Sequence, residues 1–289
     1  MSRSRTDRFV QWSLGGLAVL SGGLVLLIVV FLLLGAWPTI QSGLLSHLLT
    51  DETWRPGSDR DPQFGLLPML AASFLVTALS IGIAAPFGVA GAVFDRFYLP
   101  PGFRRWNHRL LELLAGVPSV VFGFWGLTVL VPAINRLHPP GQSLLAASLV
   151  LSLMILPTVA LTSQAALRAV PESETLAAAG LGLGRARTIF SIALPAAKSG
   201  IGGGILLAVA RAIGETMAVV MVCGNIAEFP SSLFDPVRPV TSTIALEMGY
   251  ASADHKALLY TAGLILVLAV AALVGWLAFR GSKNVPASG

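Results

Sequence analysis

In the stretch "ARAIGETMAVVMVCGN" (210–225), Arg211 and Glu215 are the only charges between Lys198 and Glu228. A charge at the centre of a bilayer costs at least about 2.5–3.5 kcal/mol even on insertion scales, so something must offset that cost. As residues i and i+4, the two lie on one helical face and can bridge each other. Two roles are then open. The pair neutralises itself, or pairs with a neighbouring subunit, to hold a bundle together; or its face lines a polar route, since intramembrane charges mark substrate pathways. Arginine suits an oxyanion, because its planar fork offers two parallel N–H donors to phosphate. Glu215 would then hold Arg211 while the route is empty and keep the anion from staying. Thr216 adjoins the pair and either points into the route or bonds its own helix backbone. The hydroxyls of "VTST" (240–243) are either donors at an outer mouth or ordinary turn chemistry.

The elements that must position these residues follow from composition. The chain has 289 residues, of which 55% are hydrophobic and 11% charged; a soluble chain carries roughly a quarter charged residues. It is an all-α polytopic membrane protein. Charge-free or nearly charge-free runs predict six spans at about 13–36, 66–94, 110–134, 143–167, 200–223 and 257–279, each able to hold the roughly 20 apolar residues a spanning helix needs. The first is too long for a signal-peptide core and reads as a retained helix. Residues 1–12 form a terminal segment, 13–280 the membrane domain and 281–289 a tail.

Orientation follows from the basic residues. With the N-terminus inside, thirteen fall on that side: Arg3, Arg5, Arg8, Arg96, Arg104, Arg105, Arg109, Arg168, Arg185, Arg187, Lys198, Arg280 and Lys283. Five fall outside, namely Arg55, Arg60, Arg136, Arg238 and Lys256. Both termini are therefore expected in the cytoplasm, and the net charge of +5 needs no nucleic-acid partner. Trp37 and Trp54, in the outside segment 37–64, suit the interface. Pro118, Pro132 and Pro157 fall in the third and fourth spans, where proline kinks a helix. Gly200, Gly202, Gly203 and Gly204 open the fifth and permit close helix approach.

The longest inside loop, 168–198, reads "RAVPESETLAAAGLGLGRARTIFSIALPAAK". Pro171, Glu172 and Glu174 make a helix start, since proline and acids both favour a first turn. Gly182 and Gly184 stop that helix, and a second is expected from Arg185 to Leu194, ended by Pro195. Leu176, Leu181, Ile189, Phe190 and Ile192 give the resulting hairpin an apolar surface. It is either a membrane-surface connector or an element that docks into a partner's groove.

Ala177, Ala178, Gly182, Leu194 and Pro195 resemble the EAA loop of ABC-importer permeases, with Leu176 where that pattern usually has glutamate. Further segments resemble the permease of the phosphate-specific ABC transporter, of the PstC type: "AWPTIQ", "FGLLPMLAASFLVTALSIGIAAPFGVAGAVF", "ELLAGVPSVVFGFWGLTVLVP", "LSLMILPTVA" and "RAIGETMAVVMVCGN". The resemblance implies a type I importer permease fold in the inner membrane. It also implies a PstA-type sister permease, PstB-type ATPase subunits on the cytoplasmic side and an external phosphate-binding protein. It places an Arg–Glu pair at the Arg211 motif, in the substrate pathway, and assigns the hairpin to ATPase coupling.

The sequence contains no Gly-x-x-x-x-Gly-Lys-Ser/Thr motif to cradle ATP, so hydrolysis belongs to a separate chain and the subunit is not itself an enzyme. No cofactor and no metal is expected, because no Cys/His cluster has ligand spacing. A permease for another oxyanion, such as molybdate or sulfate, stays open. A secondary anion carrier would show internal repeats or broken helices in corresponding halves, and neither is visible in the sequence.

Overall fold

The computed structural model describes residues 5–56 and 63–282; the expected chain ends at 1–4 and 283–289, with Arg3, Arg60 and Lys283, lie outside the described residues. The elements in order are α1 (Arg5–Gln41), α2 (Leu45–Thr50), β1 (Trp54–Arg55), β2 (Gln63–Phe64), α3 (Leu67–Phe97), α4 (Pro101–Gly116) and α5 (Ser119–Trp125). A π-helical turn, Gly126–Leu130, leads into α6 (Val131–Asn135), followed by α7 (Leu144–Ala169), α8 (Glu172–Gly180) and α9 (Arg185–Thr188). A second π-helical turn, Ile189–Ala193, leads into α10 (Leu194–Gly214), then α11 (Met217–Val222), α12 (Val240–Glu247) and α13 (Ala253–Ser282). The two strands form one small antiparallel ladder pairing Trp54 with Phe64.

Among the described residues five helical stretches are long and apolar enough to cross a membrane: Val10–Gln41, Leu67–Phe97, Leu144–Ala169, Arg185–Gly214 and Ala253–Gly275. A sixth arises only if Pro101–Gly116 and Ser119–Asn135 count together, and these meet at 89°. The expected span at 110–134 is thus not one helix but falls on both sides of this bend, which is sharper than a proline kink. Val117 is extended (φ −65°, ψ 130°) and precedes Pro118, where clash with the proline ring disfavours the helical region. The part before the bend, "PGFRRWNHRLLELLAG", carries three arginines that hydrocarbon would penalise. Pro132 sits in the first turn of α6, directly after a π-helical turn, so its missing N–H breaks no regular ladder.

A buried α7 organises the bundle. Val150, Leu151, Met154 and Ile155 are at most 1% exposed and form the main core with residues of α3, α10 and α11. Glycine brings the neighbours close. A Cβ on Gly88 would fall 2.8 Å from Val159, and one on Gly204 would overlap the Thr162 side chain, so α3 and α10 seat against α7 at near-backbone distance. Gly200 likewise faces Ala166, whereas Gly202 and Gly203 meet no described atom within 4 Å. A second core near the strands gathers Leu48, Leu66, Met69, Val240 and Leu259. A third, at the hairpin end, gathers Ala92, Leu167, Val170, Ala193 and Ile201.

Candidate functional site

The helix carrying Arg211 stops three residues later. Gly214 ends α10, Glu215 is extended (φ −70°, ψ 129°), and α11 starts only at Met217. Arg211 and Glu215 therefore do not share one helical face, and among the described residues they form no ion pair. The expected i,i+4 bridge is corrected, as is the unbroken span at 200–223; the spanning stretch instead begins at Arg185.

Each charge is stabilised by a helix end. Arg211 lies in the last turn of α10, where the carbonyl dipoles favour a cation. The Ala218 N–H donates to Glu215 Oε1 at 3.2 Å, so the carboxylate satisfies an orphan donor in the first turn of α11 and complements its positive end. Arg211 is left exposed and, among the described residues, makes no hydrogen bond or ion pair.

A break between helices frees backbone groups that must find partners, and local polar groups supply them. The Glu215 carbonyl accepts from Thr241 Oγ1 at 3.1 Å, and the Glu215 N–H donates to the Ala212 carbonyl at 3.2 Å. Thr216 Oγ1 donates to the Gly214 carbonyl at 3.3 Å, so its hydroxyl bonds local backbone. The "VTST" residues are not turn chemistry: they open α12, whose Val240 N–H donates to Ser73 Oγ of α3 at 3.0 Å. Ser73, Thr77, Glu215, Val219 and Thr241 line a small recess beside the break.

The α12 segment is fixed by a buried node that sequence reading missed. Glu247, 5% exposed, accepts from Trp54 Nε1 at 2.9 Å, from Arg238 at 2.7 Å and from His255 Nε2 at 2.9 Å. Arg238 Nε also donates to the Asn225 carbonyl at 2.7 Å. Trp54 is therefore not an interface residue but a buried strand residue, 7% exposed. Only a lone acid in an otherwise neutral stretch hinted at this. In the loop before α12, Asp235 accepts from the Ser231 hydroxyl and from the N–H groups of Ser231 and Ser232, which holds its carboxyl below the usual range.

At the other end, the hairpin forms as helix, turn and helix. Gly182 has φ +75°. The Leu183 N–H donates to the Ala178 carbonyl and the Gly182 N–H to that of Ala179, both at 3.0 Å, which is a Schellman cap. Pro195 does not end the second helix, which is corrected: it lies in the first turn of α10, where proline costs nothing, and the chain continues into the span. Leu176 (69%), Leu181 (81%) and Phe190 (71%) are exposed, while Ile189 is buried. Ala177 is exposed with Gly182, Ala178 is buried within the hairpin, and Leu194 packs on the core at that end. The EAA-like residues thus divide between an outward surface and the joint with the bundle.

Comparison with known proteins agrees with this architecture. Residues 84–280 match the family described as the binding-protein-dependent transport system inner membrane component. The chain is 42% identical over 227 residues to the probable ABC transporter permease protein YqgH of Bacillus subtilis, covering 77% of this chain and 73% of that one. It is 33% identical over 268 residues to the phosphate transport system permease protein PstC of Mesorhizobium japonicum, covering 86% and 78%. In fold it is similar to a chain of the bacterial alginate ABC transporter, with a TM-score of 0.62, 12% identity and 96% of each chain covered. The MetNI methionine ABC transporter gives a TM-score of 0.54 at 18% identity, covering 76% of this chain and 92% of that one. With residues 84–280 matching that family and permease relatives identical at 33–42% over most of its length, the chain belongs to the inner membrane components of binding-protein-dependent transport systems.

Proposed function

We propose that the chain is the permease subunit of an ATP-driven phosphate importer, with Arg211 as the group that receives the anion in the membrane pathway. One observation supports this most: an arginine within a span is exposed and, among the described residues, unpaired, at the point where the helix breaks. Charges within spanning helices mark substrate pathways. An exposed arginine, stabilised by the end of α10, keeps its donor fork free for an oxyanion. The similarity to phosphate permeases names the oxyanion.

Glu215 and Thr216 then shape the route rather than clamp the arginine. The capped break keeps the backbone open beside the recess, and the Glu215 charge nearby disfavours long residence of a second negative charge. Conduction needs such weak, transient binding. A pathway of two halves requires a sister permease of the PstA type. The exposed surface of Leu176, Ala177, Leu181 and Gly182 is the docking face for a PstB-type ATPase, and an external phosphate-binding protein delivers the substrate. Both termini and the hairpin face the cytoplasm in this arrangement, within the inner membrane.

The test is labelled-phosphate uptake in phosphate-starved cells lacking the chain and then supplied with it, with molybdate and sulfate as competitors. Loss and rescue of phosphate uptake that those competitors leave unchanged is the expected outcome. Rescue of uptake of a different oxyanion would keep the permease and overturn phosphate.

A further inference from the structure

Asp95, in the last turn of α3, is 1% exposed and takes no part in the site described above. Asn107 Nδ2 of α4 donates to its Oδ1 at 3.0 Å, and Arg168 at the end of α7 faces its Oδ2 at 3.6 Å. Gln164 of α7 extends the cluster, its Oε1 lying 3.0 Å from His108 Nδ1 and 3.5 Å from Arg168. The next residue, Arg96, faces Glu172 at the start of α8 at 3.6 Å. Two consecutive residues therefore connect the end of α3 to the surface helix α4, to the central helix α7 and to the hairpin.

The cluster differs in kind from the Glu247 node at the opposite end. There a carboxylate accepts three bonds of 2.7–2.9 Å. Here the ion pairs, His108–Glu112 included, stand at 3.4–3.6 Å, and donors are idle. The buried side-chain atoms without a partner among the described residues are Arg104 Nε, Ser163 Oγ, Gln164 Nε2 and Ser242 Oγ. All but the last lie on α4 and α7. Arg104 precedes His108 by one helical turn and so shares its face, and Ser163 adjoins Gln164. Buried polar groups in native folds are nearly always satisfied. A cluster with loose ion pairs and unused donors has hydrogen-bonding capacity for a second arrangement, as a switching element must.

We propose that Asp95 is a positioning residue that transmits movement of the hairpin to α4 and α7, this cluster being the joint that rearranges when a cytoplasmic ATPase partner drives the hairpin. The inference rests on the ATP-driven permease reading given above. Arg96 moves with the hairpin through Glu172, Asp95 moves with Arg96 through the backbone, and Asn107 and Arg168 follow the carboxylate. Asp95 touches no substrate in this scheme; it sets where the surface helix and the ends of the spans stand.

The experiment uses the assembled permease pair with its ATPase, comparing the unsubstituted chain with Asp95→Leu, which keeps the side-chain size but removes both the charge and the acceptor of the Asn107 bond. Spin labels on Ser173→Cys of α8 and Arg105→Cys of α4 are each paired with a label on the ATPase. In the unsubstituted complex both labels are expected to shift on ATP binding. In Asp95→Leu the α8 label keeps its shift and the α4 label loses it, while basal ATP turnover and assembly stay unchanged. Stimulation of turnover by the loaded binding protein is expected to be lost in the variant.

Asn107→Leu, which removes the α4 side of the same bond at a half-buried residue, should reproduce the loss without touching a buried charge. The double variant should be no worse than either single one, since residues acting as a unit are not additive. An α4 shift retained in both variants, or additive losses, would overturn the proposal. Absence of any ATP-dependent α8 shift in the unsubstituted complex would overturn the ATP-driven reading, and the joint with it.

Discussion

At the residue scale, the arginine and the glutamate are matched to helix ends and not to each other. The Glu215 carboxylate satisfies the Ala218 N–H, and a hydrogen bond to a charged group is worth about 1.5–3 kcal/mol. Glu215→Ala should therefore destabilise the start of α11 by about that amount and lower uptake, whereas Glu215→Gln, which still accepts the bond, should keep most of the stability. Thermal unfolding of the two purified variants distinguishes them, and equal behaviour would show that the carboxylate does not cap. The Glu247 node sets a larger effect. Its replacement leaves Arg238 and His255 without their shared acceptor, and removing one partner of a buried ion pair costs about 3–5 kcal/mol. Glu247→Ala should accordingly lower the unfolding temperature well beyond any surface substitution, a difference calorimetry or a thermal-shift assay in detergent would read.

At the element scale, the hairpin depends on one backbone conformation. Gly182 lies at φ +75° with open space around its Cα, so Gly182→Ala meets no clash but pays about 1–2 kcal/mol for the left-handed conformation. The cap should loosen, with faster amide exchange at Leu181–Leu183 and weaker ATPase co-purification; Gly182→Trp should abolish co-purification, and retained binding would refute the docking face. The start and stop of α8 were legible in the sequence because Pro171, Glu172 and Gly182 act through local chemistry. The breaks were legible only in part. Pro118 marked a kink in the third span, but not that the chain turns there by 89°. The break at Glu215 depends on Thr241, a residue 26 positions away that holds the Glu215 carbonyl, and no window around Glu215 contains that partner. Charge in an apolar run singled out Arg211 and Glu215; their separation into two helix ends needed the tertiary structure. Asp95 and Glu247 escaped for the same reason, since their partners come from distant elements.

At the scale of the whole molecule, two polar nodes bracket an apolar bundle built on α7. The Glu247 node is tight and satisfied; the Asp95 cluster is loose and borders the hairpin. Between them stands the broken span with its exposed arginine. Movement driven at the hairpin end, against a fixed opposite end, would open and close a route past Arg211 without unfolding the core. That account places phosphate transfer on the Arg211 guanidinium. The measurement that tests it most directly is ATP-driven uptake of labelled phosphate into proteoliposomes holding the assembled complex, with the unsubstituted chain, Arg211→Lys or Arg211→Ala. The account predicts that Arg211→Ala abolishes uptake while the complex still assembles and hydrolyses ATP, and that Arg211→Lys keeps only part of it, because an ammonium lacks the planar fork. Uptake by Arg211→Ala at the unsubstituted rate would contradict it.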